Sequence, residues 1–371
     1  MPFADELIGA DTARTLHAVI RSVAPGADLA ALARAPERLG PLPLRARADL
    51  LRDALLAGVP GDHAALARVI RAAAADEDFT GWLIWPVTTA VAARAVEDGS
   101  TAAFDDGMSL LAELTGRLTA EFALRTFLRR DPDRALAGAL AWTGSDDPAV
   151  RRLASEGARP YLPWAVRVPA ILGTPGVTLP ILDRLYRDPS EDVRRSVANH
   201  LNDLSRDAPD LVVATARRWS AAPTADTGRV VRHALRTLLK RGDPGALELL
   251  GFGPVSLDVA GPTTDRASVA TGGAIRFRAR IRNIGDGPAR LAIDYVVHHR
   301  KANGAVRGKT FKLTERALAP GEAVAIDREH SFRPIATRRY YPGGHRIELQ
   351  INGKTYGSVD FDLTAEDLSR R

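Results

Sequence analysis

The feature that most constrains this chain is a repeated run. Val150-Arg-Arg-Leu-Ala-Ser-Glu156-Gly-Ala-Arg159-Pro-Tyr-Leu-Pro-Trp164 is echoed by Val193-Arg-Arg-Ser-Val-Ala-Asn199-His200-Leu-Asn202-Asp203. Each copy follows an Asp-Pro pair, Asp147-Pro148 and Asp188-Pro189, which suits a helix start because Asp caps free amides and Pro fits the first turn. A shorter third echo follows at Val231-Arg232-His233-Ala-Leu. Intervals of about 43 and then about 38 residues match two-helix repeats of the HEAT type. Such repeats stack into a curved ribbon, and corresponding faces of successive second helices line its concave side. Glu156 and Asp203 can therefore converge although they are far apart in sequence.

The flanks read differently from one another. Residues 1–145 carry long Ala/Leu/Arg segments, such as Asp11 to Val23, Arg45 to Leu56 and His63 to Ala75, with apolar residues three and four apart, the mark of amphipathic helices. Asp78 to Pro86 reads as a loop entering a short helix, its aromatics bound for the core. Phe122, Leu124 and Phe127 fill a core, while Glu121 and Arg125, four apart, share another face and suit an ion pair. After Leu249-Leu-Gly251-Phe-Gly253-Pro254 the helical pattern stops. Ile275 to Asn283 then alternates strictly between apolar and polar residues, as a half-buried strand does. Further strands are expected at Ala292 to His298, Gly308 to Thr314, Val324 to Phe332, His345 to Ile351 and Ser358 to Leu363. Gly- and Pro-containing turns such as Asn303-Gly304, Pro320-Gly321 and Asn352-Gly353 separate them. This is the pattern of an immunoglobulin-like sandwich. The expected fold is thus multidomain: an all-α HEAT-like repeat solenoid over 1–253, then an all-β immunoglobulin-like sandwich over 254–371.

Composition excludes several chemistries. The absence of cysteine from 371 residues removes disulfides, thiolate metal sites and a cysteine nucleophile. None of the eight histidines begins a His-x-Asp iron motif, which argues against an oxidative demethylase. The N-terminus lacks a signal-peptide pattern and no apolar run approaches a membrane span, so a soluble cytoplasmic protein is expected, without membrane partners. The net charge of +6 is uneven: 20 basic face 13 acidic residues over 256–371, against 31 and 32 over 1–255. A polyanionic partner fits that excess.

These motifs resemble the AlkC branch of the AlkC/AlkD-like DNA alkylation repair glycosylases. The two Val-Arg-Arg runs carry the resemblance, with Thr119-Ala-Glu-Phe-Ala-Leu-Arg125 and Arg232-His-Ala-Leu-Arg-Thr-Leu-Leu-Lys240. Thr337-Arg-Arg-Tyr-Tyr-Pro-Gly-Gly-His345 and Gln350-Ile-Asn-Gly353 are similar to the sandwich domain that some AlkC members append. The resemblance is strong from about residue 110 to 253 and loose before residue 105. It implies a monofunctional glycosylase of base excision repair, taken here as a monomer without metal or redox cofactor. It would bind double-stranded DNA and excise 3-methyladenine and 3-methylcytosine without drawing the base into a deep pocket.

A cationic alkylated base is already a good leaving group and needs no general acid. Carboxylates remain necessary, to stabilise the positive sugar and to orient water. By the resemblance these are Asp203 for sugar and water contact, Glu156 as its partner and Glu121 in positioning. Each has a structural alternative: Glu156 with Arg152 or Arg159, Asp203 as a cap or with Arg206, Glu121 with Arg125. Trp164, stiffened by Pro163, would stack on sugar or base, or else lie in the repeat core. Phosphate contacts are expected from Arg152, Arg159, Arg195, Arg232, Arg236 and Lys240, each with a solvated surface position as its alternative, while Asn199, His200 and His233 either orient phosphate or carboxylate or form buried hydrogen-bonded caps. In the tail, Arg338, Arg339 and Tyr340 form a basic aromatic loop suited to a DNA groove, and His298-His-Arg-Lys301 is a second candidate. A non-catalytic HEAT scaffold for protein or nucleic acid is the rival reading. A bifunctional lyase is disfavoured because Lys240 is the only lysine in the helical motifs.

Overall fold

The computed structural model describes residues 4–335 and 339–365. It comprises two compact units, residues 1–234 and 235–371.

The first unit is all helical. Its repeats begin as Asp-Pro pairs dictate in one copy and with a shift in the other. Asp147 caps the Pro148–Gly157 helix by accepting from the Ala149 amide at 2.7 Å. In the second copy the helix starts two residues beyond Pro189, at Glu191, and runs to Leu204. Asp188 is diverted there: its carboxylate takes two hydrogen bonds from Arg151, at 2.6 and 3.0 Å, and one from the Ser190 amide. The same device recurs one repeat later, where Arg194 reaches Asp226 at 3.2 Å. Both arginines also donate to carbonyls five and six residues before them. The first Arg of each Val-Arg-Arg thus staples one repeat to the next.

Packing follows the apolar faces. Phe122, Leu124 and Phe127 of the Glu121–Arg130 helix are buried as expected. Phe122 stacks on Trp85 with ring centroids 3.9 Å apart, and Phe127 meets Phe104 edge-on at 4.8 Å. The helix expected to be short after Asp78 is long, Ile84–Asp98, because its apolar residues continue beyond Pro86 without a breaker. Gly157 lets two helices approach closely, since a Cβ there would lie 2.6 Å from Leu124 Cδ2. That approach brings the end of the Pro148–Gly157 helix against the start of the Glu121–Arg130 helix.

The second unit is a two-sheet sandwich with two short helices, Arg236–Arg241 and Pro244–Leu249. The compact unit therefore opens earlier in the chain than the expected boundary at 253/254, because these helices bond to the strands: Thr310 Oγ1 donates to Lys240 O and Arg290 to Leu250 O. The strands are β1 Leu257–Thr264, β2 Ser268–Ala270, β3 Ala274–Asn283, β4 Ala289–Arg300, β5 Val306–Leu318, β6 Ala323–Ser331, β7 Gly343–Ile351 and β8 Lys354–Thr364. One sheet has the order β1-β3-β6, the other β2-β8-β7-β4-β5. In β3 the alternation holds as read: Ile275, Phe277, Ala279 and Ile281 are buried and the intervening arginines exposed. Two of these, Arg276 and Arg278, pair with Asp327 on β6, so the row is less basic than its sequence. β1 and β2 escaped the periodic reading. β1 contains Gly261-Pro262 and changes register there, while β2 is only three residues long and pairs parallel to β8.

The repeat staples generate a stability contrast. Arg151→Ala leaves the buried Asp188 carboxylate without its cation and should cost about 3 kcal/mol in urea denaturation, the lower end for buried pairs because the guanidinium is partly exposed and the Ser190 amide still bonds Asp188. Arg195→Ala, which removes an exposed pair with Asp192, should cost less than about 1 kcal/mol.

Candidate active site

The first unit brings the three predicted acids into one charge network. Glu121 opens its helix, with Thr119 Oγ1 donating to its Oε2 at 2.8 Å and Arg152 Nη1 at 3.2 Å. Glu156 sits in the last turn of the Pro148–Gly157 helix. Arg159 Nη1 donates to its Oε1 at 2.5 Å and Ser196 Oγ to its Oε2 at 2.6 Å. Asp203 lies near the end of the Glu191–Leu204 helix, and its Oδ2 accepts from Arg159 Nε at 2.9 Å. One guanidinium therefore bridges carboxylates from successive repeats.

The side chains of Glu121, Glu156 and Asp203 are only 11, 8 and 12% exposed. Three acids against the two arginines bonded to them, Arg152 and Arg159, leave one negative charge in excess when all are ionised, which the nearby buried Arg125 guanidinium partly offsets. Burial raises the Glu121 carboxyl above its ordinary range; the Arg152 charge opposes that shift and Glu156 adds to it. For Arg159 burial works against the charge, but Asp203 and Glu156 more than offset it and hold the guanidinium above its ordinary value. A partly desolvated site with net negative charge is suited to a positive centre. Among the described residues, no group of three or more His, Cys, Asp or Glu is placed to hold a metal ion.

Trp164 stands beside this network in sequence and is 43% exposed, so it is no core residue. Its φ is +59°, a left-handed conformation that costs a side-chain-bearing residue about 1–2 kcal/mol. Strain of this kind marks a place where the surrounding chain dictates the conformation.

Several expected contacts are corrected. Arg159 is buried and its donors serve Glu156 and Asp203, so it organises carboxylates instead of gripping phosphate. His200 is fully buried, bonded through Nδ1 to Ser155 O at 2.8 Å and through Nε2 to Thr178 Oγ1 at 3.0 Å. Burial pushes its pKa down to about 3, so it is a neutral core strut and offers nothing to a DNA phosphate. Glu121 and Arg125 do not pair; Arg125 instead donates to three backbone carbonyls. Arg152 keeps a partly exposed side chain although Glu121 engages it. Arg195 is exposed, Arg232 half-buried, and Asn199 Oδ1 and His233 Nε2 meet at 2.8 Å.

In the second unit Arg236 is half-buried and Lys240 exposed. Arg338 lies outside the described residues. Arg339 is exposed, but the Tyr340 ring packs inward on Phe332 and His299, at 5.3 and 5.7 Å. His299 also meets His330 and His345, so the 298–301 segment points one of its two histidines inward.

Ser196, Thr119 and Arg125 were not singled out from sequence as part of this site. A signal existed for Ser196: it interrupts the apolar face of Val193, Val197 and Leu201, and a polar group on such a face requires a partner.

An α-solenoid joined to an immunoglobulin-like sandwich, with a carboxylate cluster on the repeats, defines a specific class. The C-terminal Ig-like domain model of the uncharacterised protein YhaZ matches residues 258–365. YhaZ of Bacillus subtilis is 37% identical over 269 residues, covering 72% of this chain and 74% of its own. The solved structure of the Pseudomonas fluorescens alkylpurine DNA glycosylase AlkC, bound to DNA containing an abasic site analog, is 32% identical and superposes with a TM-score of 0.89. That superposition covers 98% of this chain and all of the other. The chain belongs to the AlkC branch of the AlkC/AlkD-like family, with the appended immunoglobulin-like domain. Among the described residues, no helix is long and apolar enough to cross a membrane.

The raised Glu121 pKa has a defined consequence for stability. A carboxyl raised in the folded state binds its proton more tightly there than when unfolded. Ionisation therefore costs stability once pH exceeds the folded pKa, and the cost is absent below the unfolded value. The melting temperature of Glu121→Gln relative to the parent should thus increase between about pH 4 and pH 7; a difference that decreases would assign Glu121 a lowered pKa.

Proposed function

We propose that this protein is a monofunctional DNA N-glycosylase that excises cationic alkylated bases, 3-methyladenine and 3-methylcytosine, from double-stranded DNA. The observation that carries the reading is the Arg159 bridge between Glu156 and Asp203, with Glu121 beside it, in a chain that superposes on AlkC along nearly its whole length.

The geometry supports a division of roles. Both oxygens of Glu156 are occupied, by Arg159 and Ser196, so it acts as a fixed anion that favours positive charge on the sugar. Asp203 Oδ2 faces Arg159, while its Oδ1 accepts no hydrogen bond among the described residues. That oxygen is the one suited to align water on the anomeric carbon. Glu121 holds Arg152 and adds negative charge behind the pair. Because the alkylated base leaves with its electrons neutralising its own charge, the site needs no proton donor, and a buried ion network suffices. Trp164 supplies an exposed ring for sugar or base, and Arg195, Arg232, Asn199 and His233 offer polar side chains to the DNA backbone. We assign the sandwich an auxiliary DNA-binding role through Arg339 and the neighbouring strand ends, and Lys240 and Arg236 to the same unit.

Mass spectrometry of methylated duplex incubated with the protein in the presence of a chelator tests this directly. Free 3-methyladenine and 3-methylcytosine, with abasic sites left behind, are expected. Asp203→Asn should slow single-turnover release by about 100–1,000-fold, the range for removing one transition-state charge contact, with a melting temperature within a few degrees of the parent. Intact methylated duplex would favour a non-catalytic scaffold, and unchanged release by the variant would remove Asp203 from the mechanism.

A further inference from the structure

Residues 158–168 connect the Pro148–Gly157 helix to the Pro169–Gly173 helix without a regular element, and include Pro160 and Pro163. The segment carries Arg159, which bridges Glu156 and Asp203, and Trp164, exposed at φ +59°. Its backbone is held largely by guanidinium groups. Arg125 donates through Nε to Val166 O at 3.0 Å, and through Nη1 to Gly157 O at 3.1 Å and Arg159 O at 2.6 Å. Arg167 donates to Leu162 O at 3.1 Å and Arg45 to Trp164 O at 3.4 Å.

Arg125 differs from the other two in being fully buried. It makes no hydrogen-bonded ion pair; Arg167 and Arg159 repel its charge and Asp203 attracts it, and burial lowers its pKa to about 10. A buried cation without a carboxylate partner is a poor choice for stability alone, because an apolar side chain would fill the space without the desolvation penalty. Its fork does something no apolar group can: it gathers carbonyls from the start, the second residue and the end of one loop.

We propose that Arg125 is a positioning residue for base excision. By fixing both ends of the loop it sets where Arg159 meets the two carboxylates and holds the Trp164 ring in one orientation. This role rests on the glycosylase reading, and it acts through Arg159 and Trp164 without contact to the reacting atoms. Arg125→Lys is the discriminating change: it keeps a cation, but an ammonium cannot reproduce the three-carbonyl fork.

The protein labelled with 5-fluorotryptophan contains five tryptophans, and the Trp164→Phe variant assigns the Trp164 fluorine resonance. In the parent that resonance should be single and narrow despite exposure. In Arg125→Lys it should shift or broaden while the other four stay in place. Single-turnover release of 3-methyladenine should fall about 10–100-fold, the scale of an ångström-level misplacement, with affinity for an abasic-analogue duplex changed less than about threefold. In a Trp164→Ala background the same substitution should lose much of its effect, since the two act on one element. An unmoved Trp164 resonance with parental release overturns the proposal, as do fully multiplicative penalties in the double variant. A parent whose Trp164 resonance is broad or doubled overturns it even where Arg125→Lys fails to fold. A parent that releases no base refutes the glycosylase reading instead, and the fluorine spectra still decide whether Arg125 holds the loop.

Discussion

Arg159 is the hinge of the electrostatic arrangement. Without it, Glu156 and Asp203 would be two largely buried carboxylates with no shared cation, a costly arrangement. With it, two carboxylates share one guanidinium, and because Glu121 and Arg152 cancel, the bonded group carries one negative charge in excess when all its members are ionised. On the proposed function, that excess is what favours a further positive charge arriving with the substrate or developing in the transition state.

The rest of the first unit serves that placement. Arg151 ties the helix that carries Glu156 to Asp188, just ahead of the helix that carries Asp203, and Arg194 ties that second helix onward to Asp226. Gly157 permits the close contact with Leu124 that brings Glu121 alongside. Ser155 and Ser196 hydrogen-bond to each other, and His200 braces Ser155 O from the core. Elsewhere the same economy recurs: Arg47 donates to Leu42, Ile8 and Gly40 carbonyls, and Arg117 to those of Asp76, Phe79 and Ala74. In a helical chain rich in arginine, loop carbonyls left over from helix ends find guanidinium donors.

That habit explains what the sequence made legible and what it did not. Periodicity and the Asp-Pro starts disclosed the repeats, and strict alternation disclosed β3, because both signals are local. The family resemblance selected the acids; spacing alone left them open to ordinary ion pairing, and each does form an ion pair while sharing a network. The arginines were harder. A charge count does not tell an arginine facing phosphate from one facing a carboxylate or a carbonyl: Arg159 reads as a phosphate contact but turns inward to two acids, and Arg125 reads as the partner of Glu121 but bonds backbone carbonyls. His200 takes the buried, hydrogen-bonded alternative, because an Asn-His pair on a helix does not state which of the two lies on the buried face until register is known. Trp164 was legible as unusual through Pro163, but its left-handed backbone is set by the loop and had no local signature.

The central claim is that the Glu121–Glu156–Asp203 network prefers a cationic sugar. Its most direct test is equilibrium binding to two duplexes that differ at one position, a neutral tetrahydrofuran abasic analogue and a protonated pyrrolidine in its place. The account predicts tighter binding of the pyrrolidine duplex by at least about tenfold, with the preference, worth about 1.4 kcal/mol, largely lost in Glu156→Gln and Asp203→Asn. Equal affinity of the intact protein for both duplexes would contradict it.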